Sequence, residues 1–423
     1  MFGKNAEYHR NFKLGVINGA AFNTALAFLS GSTVLPVFIS NLTDSKITIG
    51  IFSTLESFGW FLPQLFAAIF IAHHHKLIKF YNSLSIYRML FFGLATASVF
   101  IFNTDNKILL WSFGICFILF ALASGMAGVA FTEIVGRTIP VEKRGSYFGA
   151  RMFIGGIGAI LAGAAVRIII KEIPLPINFG VIYSGAWIIM LFGLIIFAFV
   201  REPEQIRQIE KSDPVSNLRT AFEHFRKDRN FRRLFWSRAG IHSYYMAMPF
   251  YVVFAIENLK AAEWMAGTYL TAQMIGYLGT NIFWARLSNN VSNRLVIILA
   301  GLATLLPPLF AIVNLIYPMH PMLFGVVFFL IGMAEAGIGM GYISYLLEIS
   351  PERGRLLSIG LIHTLIAPTV FFSALGGYLA QLFSIQLLFG IVTITVTISL
   401  LASLKLSKPK RLKHQGPQAV ESI

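Results

Sequence analysis

Apolar residues run along this 423-residue chain in long blocks, and polar residues gather in the short gaps between them. Six blocks fill the first half, at 12–38, 48–72, 84–103, 108–133, 146–170 and 178–200. Six more fill the second, at 234–257, 264–288, 295–317, 321–347, 356–381 and 385–404. Each is close to the ~20 residues that an α-helix needs to cross a bilayer's hydrocarbon core. The pattern therefore predicts an all-α polytopic membrane protein with twelve transmembrane helices in two pseudo-symmetric six-helix bundles. Pro63, Pro249, Pro307, Pro308 and Pro368 fall inside the blocks. Neighbouring helices can satisfy the carbonyls a proline frees, so these positions predict kinks rather than helix ends.

One long polar stretch precedes the C-terminal tail, at 201–233, with nine basic and six acidic residues. It divides the chain into a bundle at 1–200, a linker at 201–233, a bundle at 234–404 and a basic tail at 405–423. Within the linker, Asp213 can cap a helix with Pro214 in its first turn, and Val215, Leu218, Phe222 and Phe225 recur at helical spacing. That spacing predicts an amphipathic helix lying on the membrane surface.

Composition agrees: 56% of residues are apolar, 13% are charged, and the mean hydropathy is +0.70. So much apolar surface has lipid as its solvent. The N-terminal apolar run is span-length and reads as a retained first helix rather than a cleaved leader. The lone Cys116 excludes an internal disulfide and a CxxC metal site. The net charge of +15 is unevenly placed. Of 34 Lys and Arg, only Lys46, Lys107, Arg167, Lys171 and Lys260 fall on the side away from the termini. By the positive-inside rule both termini are cytoplasmic, in a plasma (inner) membrane, and the excess charge faces anionic headgroups rather than nucleic acid.

An internal repeat is visible. The loop after block four reads GRTIPVEKRGSYFGAR and the loop after block ten reads LEISPERGRLLSIG. Arg144-Gly145 precedes Arg353-Gly354 by 209 residues, about half the chain. With six-plus-six spans, a long central linker and these basic loops, the chain resembles the major facilitator superfamily over nearly its whole length. The superfamily's loop motif after span two is eroded in AAIFIAHHHKLIKF (67–80), which lacks its Asp, and Asn289 replaces the usual acid in GTNIFWARLSNNVSNR. The span-five exporter motif is present only as glycines, without its proline, in FIGGIGAILAGAA. There Gly155, Ala159 and Gly163 form a face suited to close helix packing.

Ionisable groups inside a span cost roughly 2.5–3.5 kcal/mol on insertion scales, so each is a functional candidate. Two acids lie well inside, Glu335 in span ten and Glu56 in span two. Either can carry a proton through a conformational cycle. Asn18, Asn23, Gln64, His242, Tyr244, Tyr245, Gln273 and His363 supply donors and acceptors for a solute, and the resemblance implies that their spans line the cavity. Glu133, Arg137, Arg144, Arg151, Glu348, Arg353 and Arg355 flank the repeated loops and are candidates for a cytoplasmic gate. Arg151, Arg167 and Arg238 are candidate partners for the buried acids, and Arg151 and Arg238 can instead reach the headgroups. His73-His74-His75 sits in a loop with no acid or Cys to complete a metal shell, so no metal is expected.

No Walker loop, Ser/His/Asp set or HExxH sequence is present, which argues against an enzyme and against ATP as the energy source. The expectation is a monomeric, cofactor-free secondary transporter working by alternating access. Its coupling ion is H+, carried by Glu335 or Glu56, and its substrate is a small neutral or cationic amphipathic solute, as in efflux. The alternatives are uptake of a sugar-like or anionic metabolite, transport of a lipid-like solute, and a non-transporting membrane sensor on the same fold.

Overall fold

The computed structural model describes residues 2–61, 76–203, 222–223, 225–350 and 355–407. Among these residues there is no strand. The first half holds α1 (Phe2–Ala27), α2 (Val34–Ser40), α3 (Lys46–Phe61), α4 (Leu77–Ile101), α5 (Asn106–Thr138), α6 (Val141–Glu172) and α7 (Ile177–Ala198). The second holds α8 (Arg229–Ile241), α9 (Tyr244–Leu259), α10 (Met265–Asn290), α11 (Asn293–Ile316), α12 (Gly325–Ile349), α13 (Arg355–Ile366), α14 (Phe372–Leu382) and α15 (Ile385–Leu404). A 3₁₀ turn, Ala367–Phe371, joins α13 to α14. Each of the twelve apolar blocks contains helix over its described part. Among the described residues, nine helical stretches are long and apolar enough to cross a membrane. Pro63, the histidine run at 73–75 and nearly all of the expected linker helix lie outside the described residues.

Three blocks are broken rather than continuous, and each break has a local cause. In block one, α1 stops before Leu29-Ser30-Gly31-Ser32-Thr33. The Ser30 and Ser32 hydroxyls are 3.0 Å apart, and Thr33 Oγ1 donates to Ser30 Oγ at 2.9 Å. Such short hydroxyl links compete with a helical ladder. Pro36 then falls in the first turn of α2, where an absent N–H costs nothing. In block seven, Pro249 deprives the Tyr245 carbonyl of its helical donor. Ser373 Oγ from α14 donates to that oxygen at 3.0 Å. The chain tightens just before it, with i→i−3 bonds from Tyr245 N to His242 O and from Met246 N to Ser243 O, both 3.0 Å. In block eleven the 3₁₀ turn forms at Pro368. Pro368, expected as a kink, thus accompanies a true interruption, whereas Pro249 sits inside α9 after the break at His242-Ser243. Pro307 and Pro308 sit inside an unbroken α11.

The helices pack as two bundles with matching neighbours. In the first, α1 packs on α6 and α7, α4 on α5 and α7, and α3 on α5. In the second, the same pattern recurs with α9 on α14 and α15, α11 on α12 and α15, and α10 on α12. Buried aromatics fill both cores. Phe38 meets Phe113, Phe179 and Tyr183 in one, and Tyr269 stacks on Phe328 with ring centroids 4.5 Å apart in the other.

Between the bundles, the extensive contacts are α6 with α10 and α3 with α14. Both lie toward the end opposite the termini, here the far end. Glycines allow the approach: a Cβ on Gly267 would run into the Gly163 carbonyl and the Arg167 backbone. A Cβ on Gly377 would likewise strike the Lys46 carbonyl. Lys46 also forms an ion pair with Glu257, and its backbone N–H donates to Gln381 Oε1 at 2.8 Å. Toward the end carrying the termini, the basic end, no described helix pair packs extensively across the seam. The molecule is closed at one end.

Candidate functional site

The three helix breaks converge on one cavity of about 620 Å³ between the bundles. Among the described residues, its first-half wall is uncharged. Asn23 of α1, the Ser30-Gly31-Ser32 break, Ser53 of α3, and Met152, Gly155, Gly156 and Ala159 of α6 form it. Its second-half wall carries the ionisable side chains: Arg238, His242, Tyr244, Tyr245, Tyr277, Glu335 and His363. Gln273 of α10 and Thr369 of the 3₁₀ turn complete that wall.

A hydrogen-bonded chain crosses from one wall to the other. Ser32 Oγ donates to Gln273 Oε1 at 2.7 Å, and Gln273 Nε2 donates to Glu335 Oε2 at 2.9 Å. Both partners fix the same amide orientation, since an amide oxygen accepts and its nitrogen donates. Glu335 lies near the middle of α12 and makes no ion pair with any described residue. The Tyr244 hydroxyl lies beside its carboxyl. Tyr244 packs on Tyr245 with ring centroids 4.2 Å apart, and Tyr245 meets the His242 ring edge-on at 5.4 Å. His242 Nδ1 shares a 2.7 Å hydrogen bond with Thr369 Oγ1, tying the break in block seven to the 3₁₀ turn in block eleven.

The carboxyl can hold a proton or release it. An ionised Glu335 only accepts hydrogen bonds, whereas a protonated one also donates, and either form can accept from Gln273.

The structure thus brings together seven of the residues named from sequence: Asn23, His242, Tyr244, Tyr245, Gln273, Glu335 and His363. Asn18 points elsewhere; its Nδ2 donates to Gly193 O at 3.0 Å inside the first bundle. Gln64 lies outside the described residues, as does the side chain of Glu56 on α3. Ser30, Ser32 and Ser53 were not expected at the site. The Ser-Gly-Ser run inside an apolar block was the available signal.

The residues expected at a gate form links within each bundle. Arg137 Nε donates to Glu133 Oε1 at 3.1 Å and its Nη1 to Glu202 Oε1 at 2.7 Å. The Glu202 side chain is fully buried, and its other oxygen accepts from Ile78 N at 2.9 Å. Arg144 bonds the Gly136 carbonyl at 2.6 Å, near the end of α5. Arg151 is buried between α1 and α6, donating to Gly15 O at 2.6 Å and Tyr147 Oη at 3.1 Å. Glu348 accepts from Asn293 Nδ2 at 3.1 Å. Arg353 and the side chain of Arg355 lie outside the described residues. Arg167, far from the acids, sits over the Trp264 ring at 4.9 Å beside the closed seam.

A family model described as Major Facilitator Superfamily matches residues 19–256 and 239–421. Among solved structures, a D-xylose–proton symporter aligns with a TM-score of 0.71 at 15% identity, covering 95% of this chain and 98% of that one. A variant of the nucleoside transporter NupG aligns at 0.68 and 15% identity, covering 95% and 100%. The xylose transporter XylE from E. coli, in a partially occluded inward-open conformation, aligns at 0.66 and 12% identity, covering 94% and 98%. No curated protein matches the chain at the level of sequence.

Proposed function

The chain belongs to the Major Facilitator Superfamily, and from that premise we propose a proton-coupled secondary transporter that carries a small organic solute by alternating access. The observation that supports this reading most is the inter-bundle cavity with a carboxyl hydrogen-bonded, through Gln273, across the seam. The far end is closed, and among the described residues no helix pair packs extensively across the basic end, which fits one terminal state of a rocking cycle. The positive-inside distribution of Lys and Arg makes the basic end cytoplasmic. In this reading the state is inward-facing, and opening outward requires the α6–α10 and α3–α14 contacts to part. Glu335 carries the proton, with Glu56 as the alternative carrier. Asn23, Tyr244, Tyr245, His242, Gln273 and His363 orient the solute, and the carboxylates and arginines at the basic end close the inner gate when the bundles rock back.

Two structural neighbours are a D-xylose–proton symporter and a nucleoside transporter. That likeness favours a polar solute, over the amphipathic one expected from sequence, and a proton as the coupling ion.

The test is uptake into proteoliposomes under an imposed pH gradient, with a panel of a pentose, a nucleoside, an organic acid and a hydrophobic cation. Wild type is expected to accumulate at least one solute uphill when the gradient is present. Glu335→Gln is expected to bind and exchange that solute without gradient-driven accumulation. Uphill accumulation that survives in Glu335→Gln moves the proton to another group. Failure of wild type to move any solute overturns the transporter reading.

A further inference from the structure

We propose that the cavity reads an oxyanion on its solute, a carboxylate or a phosphate, through the Arg238 guanidinium. This rests on the transporter reading and names the substrate class within it. Arg238 is on α8, one turn before the break at His242, and its side chain lines the cavity. Its Nε and Nη1 atoms are shielded from solvent and have no hydrogen-bond partner. The nearest compensation is the Tyr342 ring, whose centroid is 5.9 Å from the guanidinium carbon, the outer limit of a cation–π contact. His242 and Tyr245 from the same block and His363 from α13 are its other charged or titratable neighbours.

Two arginines that are buried more deeply behave differently. Arg151 bonds a carbonyl, a phenol and an amide, and lies over the Phe131 ring at 4.5 Å. Arg88 donates from Nε to Ser124 Oγ at 3.1 Å and lies over Phe22 at 5.0 Å. Both are held by the fold. Arg238 has no such partner, and Glu335, the acid in the same cavity, is engaged by Gln273 instead.

A desolvated cation without a counter-ion is costly, so a cavity that keeps one gains when an anion enters. The guanidinium fork matches carboxylate and phosphate oxygens two at a time. His363, which lines the same cavity, can donate a further hydrogen bond to the same group. A headgroup-reaching role fits poorly, because two of the guanidinium nitrogens are hidden from solvent.

The experiment is thermal unfolding of the purified full chain with benzoate, gluconate or inorganic phosphate, against the neutral partners benzamide and glucose at matched ionic strength. In wild type, at least one anion is expected to raise the unfolding temperature saturably while its neutral partner does not. In R238K, which keeps the charge but not the fork, the apparent affinity is expected to fall about tenfold or more. R238Q is expected to abolish the shift. No anion-specific shift in wild type, or one unchanged in both variants, overturns the proposal. Proteoliposome uptake separates the two readings. Wild-type transport of a neutral solute that persists in R238Q removes the anion site and leaves the transporter. An Arg238-dependent anion shift in a protein that transports nothing removes the transporter and leaves the site.

Discussion

The two bundles share a fold and place their charges in opposite ways. The first bundle keeps its carboxylate–arginine network at the basic end, where Arg137 joins Glu133 and the fully buried Glu202. Among the described residues, its cavity wall is neutral. The second bundle bonds Glu348 to Asn293 at the equivalent end. Its cavity wall carries the acid, the arginine and both histidines. Duplication supplied two equivalent scaffolds, and sequence divergence made one wall a shaped, polar surface and the other the chemical one. The only described side-chain hydrogen bond linking the two walls at the cavity is Ser32 to Gln273.

The sharpest way to break this contrast is a pair of acid substitutions. Glu335→Gln is expected to remove all proton-driven accumulation while leaving the unfolding temperature nearly unchanged, because Gln preserves shape and can still bond Gln273. Glu202→Ala is expected to do the reverse. It removes the buried carboxylate that Arg137 Nη1 and Ile78 N share, with Glu133 still on Arg137 Nε, and should cost about 1–3 kcal/mol of stability, seen as a lower unfolding temperature. Its coupling, measured at a temperature where the variant is folded, should persist. If Glu202→Ala uncouples transport in folded protein, the division of labour is wrong.

Next in size is the closed seam. Gly267→Leu places a side chain against Gly163 and Arg167, and overpacking of this kind costs about 1–3 kcal/mol. Because the strain exists only while the far end is closed, the population should shift toward the outward-open state by about 5–150-fold. Spin labels at positions 46 and 257, on a Cys116→Ser background, should report a longer distance. An unchanged distance would mean that the seam has slack. The smallest effect is expected on the neutral wall. Asn23→Ala removes one donor–acceptor and should weaken apparent solute affinity by at most about tenfold, or about 0.5–1.5 kcal/mol, with the pH dependence intact.

Legibility in the sequence followed the same physics. Glu335 could be found because an acid in an apolar block has few benign explanations. Gln273, Tyr244 and His363 were reachable by the same reasoning with less force. Asn18 and Asn23 were indistinguishable: both are amides in one apolar helix, five residues apart, hence about 140° apart around it. One faces the cavity and the other bonds Gly193. Glu202 was hidden in a polar linker, where acids are ordinary. Arg238 was visible as a cation near a span end, but a sequence does not say whether such a side chain turns to headgroups or to the cavity.

The sequence by itself determined the helical apolar spans, the repeat and the sidedness of charge. Lipid cannot hydrogen-bond a backbone, so every span must be written as a long apolar run. What only the tertiary structure decided was the breaks that meet at the cavity, the far-end closure, and the shielding of two Arg238 nitrogens without a hydrogen-bond partner. Each depends on how helices distant in sequence rotate and approach. Ser373 satisfies a carbonyl that Pro249 frees, and Gly163 meets Gly267, only once two bundles are in contact.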